Sequence, residues 1–185
     1  MYGRGARALA REIAKAGVDI SVVETEMIIQ SFATTFSKGW AWMQANMASA
    51  IDNEWVEDCA GRRRYFTGVS NLTKSQQAAA RRQASNSPIQ GTVAYLLSLA
   101  GINLYRFRHN SPVGAKHPFK VILPIHDAFL VEVHKDHLKP VLEIIKLAMG
   151  KMAKIPGTDR YLGVDIDVFK RWGEDLKEIP ELAAA

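Results

Sequence analysis

Phe119-Lys120-Val121-Ile122-Leu123-Pro124-Ile125-His126-Asp127-Ala128-Phe129-Leu130-Val131-Glu132-Val133 is the stretch whose reading decides the fold. Two apolar, β-branched runs, 119–125 and 128–133, flank a single polar pair, His126-Asp127. Such an interruption predicts an antiparallel hairpin with a tight connection and Asp127 at its tip. Beyond it, 136–153 reads as a helix. Val164-Asp165-Ile166-Asp167-Val168 then alternates apolar and acidic residues, which predicts a third strand with one wet face.

Upstream of the hairpin the pattern is helical. Residues 3–60 hold no proline and are rich in Ala, Met, Glu and Lys, so two or three helices are expected. Gly17 interrupts them, and Asp19 or Ser21 is placed to cap the next helix. Trp40, Trp42, Met43 and Met47 read as packing residues. Gly61 to Ser75 reads as turn and loop. Helical character resumes from Gln76 to about Phe107, but Pro88 predicts a break, because it lacks a donor and disfavours the α conformation at Ser87. Ser87 would then be an N-cap, Pro88 the first helical residue and Gln90 the capping-box partner. The expected class is α+β: helices first, then a small antiparallel sheet of hairpin plus third strand packed on helices.

The chain has 185 residues, enough for one domain or a little more, and a hydrophobic fraction of 48% that suits a globular core. Its net charge of +5 favours an anionic partner, nucleic acid being the commonest. Cys59 is the sole cysteine, so no internal disulfide forms and a reducing compartment is expected. The longest apolar stretch, Val93 to Tyr105, carries Ser98, Gly101 and Asn103 and is too short and polar to span a membrane. No apolar signal core follows Met1. The expectation is a soluble, cytoplasmic protein with no membrane partner.

Three segments together carry a resemblance. They are Val56-Glu57 with Gly61-Arg62-Arg63-Arg64-Tyr65; Ala80 through Ser87-Pro88-Ile89-Gln90-Gly91-Thr92; and Ile125-His126-Asp127 with Leu130-Val131-Glu132-Val133. In this order they resemble family A DNA polymerases, the bacterial DNA polymerase I type that phages also encode. The Asn86-x-Pro88-x-Gln90-Gly91-Thr92 segment is the most specific. Val164 to Val168 with Trp172-Gly173-Glu174-Asp175 is similar to the family's last strand and tail, and Tyr2-Gly3-Arg4-Gly5 to the end of its fingers helix. The resemblance implies that residues 1–75 are the end of the fingers helix with the helices after it, and that 76–185 are the carboxyl-terminal palm portion with the catalytic hairpin. A phage source would place the protein in the host cytoplasm.

What the resemblance implies for chemistry has a physical logic. Nucleotidyl transfer uses two divalent cations about 3.5–4 Å apart, and Mg²⁺ takes hard oxygen ligands. Asp127 is the implied catalytic carboxylate and metal ligand; aspartate is also an ordinary turn residue. His126 is implied to contact the primer terminus. Ala128 stands where most of the family has a second carboxylate. Arg82, Asn86 and Gln90 are implied to bind DNA at the duplex end and minor groove, whose purine N3 and pyrimidine O2 acceptors occur at every base pair. Gln90 equally fits the capping box. Arg62, Arg63 and Arg64 fit phosphate contact or a solvated loop. Tyr2 and Arg4 are implied to meet nucleotide or template; Arg4, Arg7, Arg11 and Lys15 share one helix face. Asp165 and Asp167 read as the wet face of an edge strand.

The family's fingers helix carries an arginine, a lysine and a phenylalanine ahead of the tyrosine matched by Tyr2, and here Met1 precedes it. The first catalytic aspartate lies further upstream in the family. The expectation is therefore a two-metal Mg²⁺ site only partly supplied by this chain, and no polymerisation by the chain alone. Split and truncated forms both fit. The implied partners are primer-template DNA, deoxynucleoside triphosphate and an amino-terminal polymerase fragment. A non-catalytic DNA-binding or interaction module derived from such an enzyme is the alternative. A single-subunit RNA polymerase also uses a His-Asp hairpin, but Gly61–Tyr65 and Asn86–Thr92 argue against it.

Overall fold

The protein is described by a computed structural model, which places residues 5–110 and 117–172. Two compact units divide between Tyr95 and Leu96. The class is α+β, with helices and two separate two-stranded antiparallel sheets. Among the described residues no helix is long and apolar enough to cross a membrane.

The first unit begins with three helices, α1 (Ala6–Lys15), α2 (Val22–Thr35) and α3 (Ser37–Asp52). Ser21, one of the two expected caps, starts α2. Its hydroxyl accepts from the Glu24 amide at 3.1 Å, and its own amide donates to Glu24 Oε2 at 2.9 Å, a complete capping box. The Ser21 hydrogen bonds hold the Glu24 carboxyl below the ordinary carboxylate range. Trp40, Met43 and Met47 are half-buried. Trp42 departs from expectation and is 44% exposed on the outer face of α3.

A short hairpin corrects two expectations: β1 (Trp55–Glu57) lies in the block read as helical, and β2 (Arg63–Tyr65) in the stretch read as loop. Arg-Arg-Tyr has no apolar alternation, so its strand character comes from its partner. Val56, 2% exposed, docks with Ala50 of α3 and Ala84 of α4 (Lys74–His109), and this contact seats the hairpin. Gly61, at φ 82, takes the left-handed turn that closes it. Tyr65 is 64% exposed.

The break expected at Pro88 does not occur: α4 is one helix of 36 residues with Pro88 inside it. Its capping box lies earlier, where Thr73 Oγ1 meets the Gln76 amide at 3.4 Å and Gln76 Oε1 accepts from the Thr73 amide at 3.0 Å. Ser87 does not cap. Its hydroxyl donates back to the Gln83 carbonyl at 2.7 Å, a bond made within a continuing helix. Packing of buried Ala84 and Pro88 outweighs the lost backbone bond.

The second unit contains the carboxyl-terminal part of α4 and the hairpin of β3 (Phe119–Ile125) and β4 (Ala128–Val133), whose bounds match the two apolar runs. Register runs from Phe119↔Val133 to Ile125↔Ala128. Leu104, Phe119, Val141, Ile144, Ile145 and Ala148 form the core, and Phe129 and Val131 of β4 pack on it. Burying a side chain such as Leu104 contributes about 1.5–3 kcal/mol. The helix expected over 136–153 is α5 (Leu138–Ile145), running into a π turn at Lys146–Lys151.

The expected third strand does not form. Val164, Ile166 and Val168 are half-buried and Asp165 and Asp167 exposed, so the alternation is kept, and Ile166 packs on the core. No described strand pairs with the segment, however, and alternation without a ladder partner is not a strand.

The π turn widens the helix and shifts its carbonyls. Buried Asn103 of α4 donates through Nδ2 to the Ala148 carbonyl at 3.1 Å. Asn103→Ala removes that donor and leaves the Ala148 carbonyl buried. It is expected to cost about 1–3 kcal/mol in urea unfolding, the penalty for an unsatisfied buried carbonyl; wild-type stability would show that Ala148 finds another donor.

Candidate functional site

Each unit holds candidate residues. In the second, the β3–β4 ladder closes at Ile125↔Ala128, leaving only His126 and Asp127 in the connection. Both are exposed. Neither side chain makes a hydrogen bond or ion pair with another described residue, so the Asp127 carboxylate is presented to solvent from the hairpin tip. His126 sits at φ 54, in the left-handed region that a β-carbon disfavours. The two-residue connection between the paired strands holds it in this conformation. Ala128 is exposed and contributes no ligand atom.

Among the described residues no group of three His, Cys, Asp or Glu side chains is arranged to hold a metal ion. Asp127 alone does not fit a pair of Mg²⁺ ions, which need more than one anionic anchor.

In the first unit, the β1–β2 hairpin and α4 enclose a cleft of about 410 Å³. It brings together Arg62, Arg63, Asn86 and Gln90 from the expected set, with Arg64 beside them. Arg82, one turn before Asn86, does not line the cleft; its side chain is exposed and has no partner among the described residues. Gln90 is exposed and its side chain makes no cap, and its amide has no partner among the described residues. Asn86 Oδ1 is buried with no hydrogen-bond donor among the described residues.

The arginine run is neither a solvated loop nor free for phosphate throughout. Arg62 Nε lies 3.3 Å from Asp58 Oδ2, and its Nη2 donates to the Gly91 carbonyl at 3.2 Å. Arg63 Nε donates to Glu57 Oε2 at 2.9 Å across the hairpin, and its guanidinium stacks 4.0 Å from the Trp55 ring centre. The Glu57 bond pushes the Arg63 pKa up. Arg64 reaches α4: Nη1 donates to Ser87 Oγ at 2.9 Å and Nη2 to Gln83 Oε1 at 2.7 Å. Its partners are neutral, so among the described residues its charge has no carboxylate beside it.

Sequence reading missed Asp58. It is buried, and its Oδ1 accepts from the Ala60 and Arg62 amides at 2.9 and 3.0 Å. The available signal was its place three residues before Gly61, the first position of a tight turn. Gly91 was noticed only as part of a motif; its role is space, since a β-carbon there would lie 2.6 Å from Asp58 Oδ2. Tyr2 and Arg4 lie outside the described residues. Asp165 and Asp167, as expected of a wet face, are exposed.

Residues 1–174 match the model of the family described as DNA polymerase family A. The thermostable DNA polymerase I of Thermus filiformis is 30% identical over 174 residues, covering 94% of this chain and 19% of that protein. The Thermus thermophilus enzyme of the same name is 32% identical over 176 residues, covering 95% and 19%. A DNA polymerase of Bacillus phage SP01 is 23% identical over 163 residues, covering 88% and 17%. The chain thus spans about a fifth of the length of these relatives. Among solved structures, the POL domain of Pol1 from M. smegmatis, in complex with DNA primer-template and dNTP, is similar in fold. Its TM-score is 0.72 at 24% identity, over 83% of this chain and 26% of that one.

Two substitutions test this geometry. Gly91→Ala gains about 1 kcal/mol of helix propensity but drives a methyl into Asp58. It is expected to lower stability by about 1–3 kcal/mol, and a stabilised variant in denaturant titration would contradict the close packing. His126→Gly relieves the left-handed strain and is expected to raise stability by about 1 kcal/mol; no gain would mean that the turn is relaxed with histidine.

Proposed function

We propose that this chain, which belongs to DNA polymerase family A, is the carboxyl-terminal part of a polymerase that carries out template-directed DNA synthesis. Its proposed role is to supply Asp127 and the duplex-facing residues. On this reading 1–75 is the end of the fingers segment with its following helices, and 76–185 the palm portion. The observation that carries it is Asp127 alone at the tip of a two-stranded hairpin, exposed and unpartnered among the described residues.

The metal chemistry of such a site, with Mg²⁺ as the expected ion, needs a second anionic anchor that the described residues do not provide. The proposed partner is an amino-terminal polymerase fragment bringing the first aspartate and the triphosphate-gripping residues. Exposed apolar surface supports a partner: Val23 and Met27, one turn apart on α2, are each 66% exposed. Whether the two pieces arise from a split gene or a truncation does not alter the chemistry.

The chain's own residues have direct work on DNA. Arg82 and the Gln90 amide are free to donate to minor-groove acceptors, which every base pair presents, so they hold the duplex without reading sequence. Asn86 lies between them on the same face. His126 is placed beside Asp127 to meet the primer terminus. Arg62 and Arg63 already have carboxylate partners, so their proposed phosphate contacts are shared with Asp58 and Glu57. Tyr2 and Arg4 are proposed to meet the incoming nucleotide or template. The proposed compartment is the cytoplasm, where replication substrates are.

The lone carboxylate also favours a second reading, a non-catalytic DNA-binding module derived from such an enzyme. Reconstitution separates the two. With a partner carrying the missing motifs, the wild-type chain is expected to extend a primer, and Asp127→Ala to lose at least about a hundredfold in rate, some 2.7 kcal/mol. Equal extension by both would remove Asp127 from the mechanism. Duplex binding without extension in any combination would favour the binding module.

A further inference from the structure

Pro88 gives the Ala84 carbonyl no backbone donor, and its ring opposes that carbonyl in a regular helix. A proline in mid-helix usually kinks or frays the turn before it. In α4 the affected turn, Gln83 to Ser87, is the one that carries Asn86, and the next carries Gln90. The β1–β2 hairpin grips both sides of it. Arg64 donates to Gln83 Oε1 at 2.7 Å and to Ser87 Oγ at 2.9 Å, and Ser87 Oγ passes the bond on to the Gln83 carbonyl at 2.7 Å. One turn further, Arg62 Nη2 holds the Gly91 carbonyl at 3.2 Å while buried Asp58 orients Arg62.

We propose that the hairpin is a brace across the proline defect, and that Arg64 is a positioning residue which sets the angle at which Asn86 and Gln90 face the duplex. The inference rests on the assignment of those two residues to DNA. Its physical basis is the shape of the guanidinium. A planar fork donates to two acceptors four residues apart and thereby locks their separation, which a single ammonium on a flexible stem does not do. Both acceptors are neutral, so the bridge fixes geometry while leaving the positive charge of Arg64 uncancelled. The brace also explains why a helix can hold a proline at a functional face: the constraint lost from the backbone is restored from outside.

Hydrogen exchange and DNA binding on the full chain test the proposal. Arg64→Met is expected to speed amide exchange over Ala84–Thr92 by about tenfold or more, as local opening becomes easier. It is also expected to weaken binding of a fluorescent primer-template duplex about tenfold, with the slope of log Kd against log salt unchanged. Arg64→Lys, which keeps the charge and spares the fold, should behave like Arg64→Met. The double variant Arg64→Met/Gln90→Ala should bind no more weakly than the worse single variant, because the two act through one contact.

Unchanged exchange in Arg64→Met would overturn the brace. A salt slope reduced by about one, with rescue by lysine, would make Arg64 a direct phosphate contact and overturn the positioning role. Faster exchange together with undiminished binding by Asn86→Ala and Gln90→Ala would sink the DNA assignment, leaving a brace that positions nothing for DNA. That result is distinct from a failed brace.

Discussion

A proline in mid-helix removes one backbone hydrogen bond and presses its ring on the preceding turn, at a cost of about 3 kcal/mol or more in a free helix. The first unit is built around that constraint. Ala84, the residue whose carbonyl loses its donor, is fully buried against Ala50 and Val56. Small residues on both helices let the hairpin approach closely enough for Arg64 and Arg62 to reach α4. Without the close contact the arginines would point into water, and without the arginines the turn at Pro88 would be held by packing alone. Gly91 belongs to the same arrangement, because a side chain there would occupy the place of the Asp58 carboxylate.

The second unit meets a different constraint, a two-residue turn that leaves Asp127 exposed. The two strands leave only two residues for the turn, and one face of the hairpin is pinned by Phe129 and Val131 on the core. A side chain at such a tip escapes the desolvation that burial would impose. The positive φ at His126 is the strain that this tightness requires.

Much of this was legible in the residues. The hairpin bounds, the cap at Ser21 and the α+β order follow from local patterns: apolar runs, turn residues and side-chain-to-backbone bonds made within four positions. The errors share a cause. Pro88 was read as a break because propensity counts what a proline removes and not what surrounding packing restores. Residues 62–65 read as loop because the apolar residue that recruits them, Val56, is anchored in part by Ala84 of α4, far away in sequence. Residues 164–168 alternate as a strand should, but no pattern within five residues says whether a partner strand lies alongside. Asp58 was missed because burial of a carboxylate is a property of its neighbours.

The sequence by itself determined the family, the class and the identity of the exposed carboxylate, since these depend on motif order and on periodicities that act over a few residues. Only the tertiary structure decided which arginines are engaged and by what, that Gln90 is free rather than capping, and that α4 runs unbroken through Pro88. The physical reason is range. Hydrogen bonds to Ser87, Gln83 and Gly91 come from residues about twenty to thirty positions away, and their existence depends on the close packing of Ala50, Val56 and Ala84, which no local pattern specifies.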